Sequence, residues 1–544
     1  MSFVCRFLST LTLASLCAST VPAQTNIVSR DLQQLEKERD RAQLRQELDA
    51  MRDRQKAMPE ASAKTPLVPK GDFQFDLKKI SHTPSSVLTE EEIATAVAPW
   101  VGKTVKAHDL ADLLEAVNRL YRDKGYAVCQ AGLRPQRIRD GHLTITLIEG
   151  KTDEVVVRGV ESTDSQYVAR AFDLPKGEVA NYRDMYDSLV RFNMTNDVHL
   201  SVDIHPGQAP ETTAYDIIAQ EPPRWSTSVF ADTLGSDTTG RYRAGATIVN
   251  RSVFGWRDNF YLMGLAGEGT LNALLGYSFP LNSFGTRLVA NASFGTVDII
   301  EGPSEPYDIS GDSFHAALRF EHPFAVGAGY KWIGYGEIKH QQSATDMYGD
   351  VRIADNQIDS LSIGVDTLYI GNDWSFYVNN RIGQHRAKEK LYDNTFDYTV
   401  YSGDLFVQKL LPLGFSLQGT AAWQAKLSGD DMVSSDQFYL GNSAGVRGYA
   451  NDVICADSGF YFNLETHYSV TEIMDVFAFF DVGRLSGMSS YEKRTLSSAG
   501  LGLTWQPTKW MSLKGTVAAP LSRQITDEER ADSVRYDAVL NLHF

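Results

Sequence analysis

The sequence predicts a mainly β protein: an antiparallel transmembrane β-barrel of about sixteen strands, preceded by two small α+β units and an N-terminal helix. Three observations carry this expectation. From Pro222 to Phe544, apolar and polar residues alternate through a long succession of segments, separated by Gly, Asn, Asp and Ser turns and almost free of helical periodicity. The N-terminus reads as an export signal. The chain closes on the stripe Tyr536, Ala538, Leu540, Leu542 and Phe544, as a closing strand in an outer membrane would.

Composition bounds the alternatives. The 544 residues carry 52 basic and 68 acidic side chains, a net charge of −16, which argues against nucleic acid as a partner. Hydrophobic residues are only 43% and aromatics 11%, and no long apolar run follows the leader, so a spanning helix is not expected. A closed barrel tolerates this composition because half its residues face water.

At the N-terminus, Arg6 precedes an apolar stretch from Phe7 to about Cys17, followed by Val21-Pro22-Ala23. This predicts a signal peptide over 1–23 and an exported mature chain. Cys129 and Cys455 then remain. Two unpaired thiols are expected, a disulfide between them being the alternative. Within 24–56, the stretch Arg30 to Lys56 is dense in charged residues, Gln, Leu and Ala, and lacks Gly and Pro, so it favours helix. Its apolar positions, Leu32, Leu35, Leu44, Leu48 and Met51, hold no heptad. Such a helix has no greasy partner to bury against and either stays solvated or crosses a water-filled space. Pro59, Pro66 and Pro69 place a linker over 57–72.

The next two units cover 73–150 and 151–221. In the first, Glu90 to Trp100 and His108 to Lys124 read as helices, and Tyr126 to Leu133 and Leu143 to Ile148 as strands. In the second, Lys151 to Val160, Val198 to Ile204 and Ala214 to Gln220 read as strands around a helix from Tyr182 to Phe192. The barrel is expected over 222–544. At about 20 residues per strand and loop, this stretch makes about sixteen strands, and closure is obligatory because an open edge in lipid would leave unpaired backbone groups. Leu361, Ile363 and Val365 against Ser360 and Ser362, and Phe460, Phe462 and Leu464 against Asn463, Glu465 and His467, show the two faces.

Several short motifs then occur in order. The first unit holds Gly125-Tyr126, Ala131-Gly132-Leu133-Arg134-Pro135-Gln136, Gly141-His142-Leu143-Thr144-Ile145 and Glu149-Gly150. Glu221-Pro222-Pro223-Arg224-Trp225 precedes Gly235-Ser236-Asp237-Thr238-Thr239-Gly240-Arg241-Tyr242. Further on stand Val446-Arg447-Gly448-Tyr449 and Phe479-Phe480-Asp481-Val482-Gly483. Together they resemble the two-partner secretion transporters, whose two periplasmic domains are of the POTRA type. Arg134 stands where that family commonly has proline.

The resemblance implies an outer-membrane pore with periplasmic POTRA domains that bind a secreted exoprotein of adhesin or haemolysin type and pass it outward, unfolded and without ATP. It also implies that the helix plugs the lumen at rest. Val446, Arg447, Gly448 and Tyr449 would sit at the tip of a long extracellular loop folded back into the barrel, with Arg447 paired to Asp481 of the Phe479, Asp481, Gly483 wall motif. Chemistry favours the pair, since a guanidinium fork suits a carboxylate in a confined lumen. On spacing alone Arg447 could equally cap a solvated turn. Alternation puts Phe479, Asp481 and Gly483 on one face and Phe480 and Val482 on the other.

Catalytic chemistry is not expected. Gly441-Asn442-Ser443-Ala444-Gly445 fits G-x-S-x-G, but that nucleophile elbow needs a strand-turn-helix corner, which antiparallel strands do not supply. No phosphate loop and no zinc-ligand spacing occurs, so no metal or other cofactor is implied. Two other functions remain open at this level: an insertase of the same superfamily and a passive solute porin.

Overall fold

The computed structural model describes residues 32–39, 41, 44, 48, 51–52, 74–126, 128–441, 445–451, 453–487, 494–525 and 530–544. The expected signal peptide and linker lie outside them. The chain divides into two compact units, one of residues 54–222 and one that joins the N-terminal segment to residues 223–544.

The first unit holds two α+β layers. In one, His142–Ile148 is the central strand between Lys79–His82 and Gln130–Gly132, with helices Glu90–Val97 and Ala107–Asp123 packed on it through Ile93, Leu110, Leu114, Val117 and Tyr121. In the other, Thr212–Gln220 is central between Lys151–Arg158 and His199–Pro206, under helices Ser165–Ala169 and Tyr182–Thr195.

Two expectations are corrected here. The helix starting at Glu90 turns into a 3₁₀ segment at Ala98–Trp100, where Pro99 removes a donor. The strand expected over Tyr126 to Leu133 shrinks to Gln130–Gly132. Gly125 N–H donates to Arg122 O and Tyr126 N–H to Tyr121 O, the paired bonds of a Schellman stop, and Cys129 N–H then turns back onto Tyr126 O. The apolar run is spent on ending a helix. Cys129 and Cys455 are both buried thiols rather than a disulfide pair, and Cys455 Sγ donates to Gln437 Oε1 at 3.2 Å.

Each α+β layer carries the same clasp. Glu149 accepts from Ser85 Oγ, from Ser86 N (2.7 Å) and Oγ (2.6 Å), and from Tyr121 OH (2.7 Å). Glu221 accepts from Ser162 N (2.9 Å) and Oγ (2.6 Å) and from Thr163 N (3.0 Å). Burial disfavours the charged form of both carboxylates, yet these donors outweigh it and hold both below the ordinary range. A depressed folded-state value contributes stability above the unfolded value and loses it as pH falls. Glu149→Gln is therefore expected to cost about 1–2 kcal/mol at neutral pH, allowing for partial exposure, and progressively less as pH falls below the unfolded carboxylate's range. Thermal unfolding of a fragment spanning 73–221 across that range checks this.

The second unit is a closed barrel of sixteen antiparallel strands, each paired with its sequence neighbour. It closes between Arg535–His543 and Trp225–Asp232, and Phe544 and Thr227 exchange backbone bonds at the seam. Outward positions are apolar and exposed, such as Leu361 (61%) and Ile363 (63%), while Ser362 between them is buried. That inversion is what lipid on the outside requires. Connections at the end where the first strand begins are short, as at 328–329 and 472–473; at the other end they include 299–309 and 430–457. No described helix is long and apolar enough to cross a membrane.

The described positions between 32 and 52 are helical and lie inside the barrel, crossing the lumen. The expectation that the helix lacks a greasy partner is overturned. Leu32 and Leu35 are buried against Met263, Leu265 and Leu274, an apolar patch on the inner wall. Polar contacts hold the rest. Glu38 meets Arg243, itself paired with Asp232, and Arg52 Nη2 donates to Ser375 Oγ and Gln408 Oε1 (both 2.7 Å) near the short-turn end.

Candidate functional site

Between Phe415–Gly429 and Ser458–Thr471 the chain makes its longest excursion, and this loop folds back into the barrel. A small hairpin, Phe438–Leu440 with Ile454–Ala456, stiffens it. Phe438, Leu440, Val446, Tyr449, Ile454 and Ala456 join the wall residues Tyr461, Leu485 and Leu496 in one apolar cluster. A hydrophobic core inside a polar lumen fixes the loop more firmly than charge alone.

Arg447 lies at the end of this excursion. Its Nε (2.8 Å) and Nη2 (2.7 Å) donate to the two carboxylate oxygens of Asp481, and its backbone N–H adds a third bond at 3.1 Å. Nη1 donates to Glu465, and the guanidinium stacks on the Phe479 ring, Cζ standing 3.6 Å from its centre. The Asp481 side chain is 0% exposed and that of Arg447 7%. Glu465 continues the chain of charges through His467 Nε2 (2.9 Å), whose Nδ1 meets Asp475 at 2.6 Å. Two carboxylates thus share one cation, a geometry that a planar five-donor fork can satisfy and an ammonium cannot.

The remaining motif positions have steric work. A Cβ on Gly483 would lie 2.6 Å from Leu440 Cδ2 and 3.0 Å from Val446 Cγ2, so only a glycine lets the loop approach this wall. Gly448 takes φ +89°, which swings Tyr449 round to donate its hydroxyl toward Ser497 O and Ser522 O, both at 2.9 Å. Phe480 faces outward, as alternation required.

Val446, Arg447, Gly448, Tyr449, Phe479, Asp481 and Gly483 are thus brought together on one sector of the inner wall. Ser443 lies outside the described residues. Glu465 was not singled out from the sequence as a partner, although it stands on the inward stripe Asn463, Glu465, His467. No group of His, Cys, Asp and Glu that could hold a metal ion occurs among the described residues.

Comparison with known proteins completes the description. The model of the family described as haemolysin secretion/activation protein ShlB/FhaC/HecB matches residues 212–505, and that of the ShlB-type POTRA domain matches residues 75–150. The heme/hemopexin transporter protein HuxB of Haemophilus influenzae (strain 86-028NP) is 24% identical over 533 residues, covering 90% of this chain and 93% of HuxB. The outer membrane transporter CdiB of Dickeya dadantii (strain 3937) is 20% identical, covering 82% and 83%. The solved structure of CdiB from Escherichia coli aligns with a TM-score of 0.68 at 20% identity, covering 93% of this chain and 97% of that one.

Proposed function

Because the chain belongs to the haemolysin secretion/activation protein family ShlB/FhaC/HecB, we propose that it passes an unfolded adhesin- or haemolysin-type exoprotein from periplasm to cell surface without ATP. It is an outer-membrane two-partner secretion transporter with its POTRA domains in the periplasm. The residues divide accordingly: POTRA domains over 73–150 and 151–221 receive the partner, the helix within 24–56 plugs the pore at rest, and 222–544 forms the conduit. The loop Val446 to Tyr449, clasped to Asp481, is the translocation element. The reading includes no catalytic step.

The single observation that carries the reading is the Arg447 clasp inside a closed sixteen-strand barrel. A wall motif and a loop motif far apart in sequence meet around one buried ion pair, which a passive porin has no need of. Free energy comes from the partner folding outside, each folded segment preventing return. Reception uses β-augmentation, in which an extended chain adds to a free sheet edge. His199–Pro206 is the edge best suited to it beyond Leu200, whose N–H and C=O are held by the Asn193 side chain. On the opposite edge, Thr152 N–H donates to Glu178 O and Gly177 N–H to Thr152 O, so that strand is already partly covered.

Reconstitution tests this reading. Purified transporter in liposomes, offered an unfolded candidate exoprotein without nucleotide, is expected to yield protease-protected product. Uptake that requires nucleotide, or none with any candidate, would refute it. General loss of outer-membrane proteins on depletion would favour the insertase reading instead.

A further inference from the structure

Glu36 of the lumen helix docks into a site that nothing in the export reading uses. Its Oε1 accepts from Ser293 Oγ at 2.6 Å and lies 3.2 Å from His315 Nδ1, and its Oε2 lies 3.4 Å from Lys339 Nζ. The three wall residues come from consecutive barrel strands, Arg287–Asp298, Ser310–Gly327 and Tyr330–Met347. Ser293 stands directly opposite His315, and Lys339 is opposite Ala317, two positions along. Ser293 and His315 are buried, and the ladder on either side fixes their spacing independently of the helix. The arrangement is a preformed carboxylate receptor: a hydroxyl, an imidazole and an ammonium converging on one pair of oxygens.

We propose that Ser293, His315 and Lys339 form a seat for acidic side chains of the exported polypeptide, which Glu36 occupies as an internal stand-in while the pore is plugged. The inference rests on the export reading for its cargo. Geometry makes the exchange possible. The loop clasp engages strands Ser458–Thr471 and Met474–Ser486, whereas Ser293, His315 and Lys339 stand on a different sector of the wall; among the described residues the helix touches the loop side through Gln33 on Ser435 O, Lys37 over Phe438 and Arg41 over Tyr461, none of them a partner of Arg447. Withdrawing a helix of about 10–12 Å diameter vacates a track wide enough for one extended chain and breaks none of the Arg447 bonds to Asp481 and Glu465. Lys339 and His315 then face that track without Glu36, and a passing carboxylate can take up the same bonds. Plug and cargo become mutually exclusive ligands of one seat. An acidic segment entering from the periplasm therefore favours the open state by its differential affinity, which is what ligand-driven unplugging requires.

Single-channel recording on the full chain in a planar bilayer tests the seat without any partner protein. Glu36→Gln is expected to raise the open probability about tenfold, the loss of one charge-assisted contact. In that open channel, oligo-glutamate added from the periplasmic side should block current, and oligo-glutamine should block far less. Adding Lys339→Gln should weaken the oligo-glutamate block about tenfold, and Lys339→Arg should largely retain it. Equal block by the two peptides, block indifferent to Lys339→Gln, or a Glu36→Gln channel no more open than wild type would each overturn the proposal. Uptake of exoprotein by liposomes is scored separately, so failure of the seat leaves the export reading standing, and failure of export leaves the current measurements intact.

Discussion

Arg447→Ala is expected to abolish export of the partner protein while leaving a folded, inserted barrel. The barrel's integrity rests on backbone bonds between sixteen strands and on lipid-facing side chains, and Arg447 supplies neither, since it meets only inward side chains of Ser458–Thr471 and Met474–Ser486. The loop's position does depend on it. Removing the guanidinium leaves Asp481 wholly buried and Glu465 nearly so, two carboxylates that had shared one cation. Breaking a buried pair costs about 3–5 kcal/mol, which lowers the equilibrium constant for docking the loop by about two to four orders of magnitude. Arg447→Lys should fail almost as badly, because one ammonium cannot serve both oxygens of Asp481 and reach Glu465 while stacking on Phe479. Asp481→Asn should be milder, since an amide oxygen still accepts one bond and no charge is stranded. The measurement is secreted partner in the medium against barrel content of outer membranes. Normal secretion by Arg447→Ala would remove the basis for assigning the loop a role in transport.

How far this site was readable beforehand depends on the kind of signal each residue leaves. Strand alternation is local, so Leu361, Ile363 and Val365 announced a lipid face without any knowledge of their neighbours. Asp481 was found because its motif is compact and Phe479, Asp481 and Gly483 necessarily share a face. Glu465 was not. It sits 18 positions from Arg447, beyond the returning strand of a hairpin whose path no propensity encodes, and among polar inward residues it looks like any other. The helix failed for a related reason. Its Leu32 and Leu35 find an apolar patch only because Met263, Leu265 and Leu274 point inward, against the rule that the lumen is polar. A trace existed in Tyr261-Leu262-Met263-Gly264-Leu265, where alternation lapses and both faces are apolar. The Schellman stop at Gly125-Tyr126 shows the same limit on a smaller scale: the apolar residues after it suggested a strand, and backbone closure overrode them.

Ile204→Pro should nearly eliminate capture of the partner without unfolding the POTRA domain that carries it, and the register shows why this position separates the two effects. His199–Pro206 pairs antiparallel with Thr212–Gln220, Ile204 lying opposite Tyr215. Gly207 N–H donates to Thr212 O, so pairs two apart along the ladder, His205 with Ala214 and Asp203 with Asp216, exchange the sheet's own bonds. Val202 and Ile204 then direct their N–H groups away from the sheet, Leu200 N–H on the same side being taken by Asn193 Oδ1, and Pro206 at the strand's end already occupies such a position. Proline at 204 removes an outward donor an incoming strand would need and deletes no bond the domain makes to itself. Asp203→Pro, one residue away, would break the internal ladder and destabilise the domain. Ile204→Ser retains the donor and should retain most binding, which separates backbone recognition from contact with the side chain. The expected pattern is at least a tenfold loss of partner binding for Ile204→Pro, with unchanged thermal unfolding of the 73–221 fragment and an undisturbed barrel. Binding that survives Ile204→Pro would move reception away from this edge, to Lys151–Arg158 or to the shorter edges of the first POTRA domain.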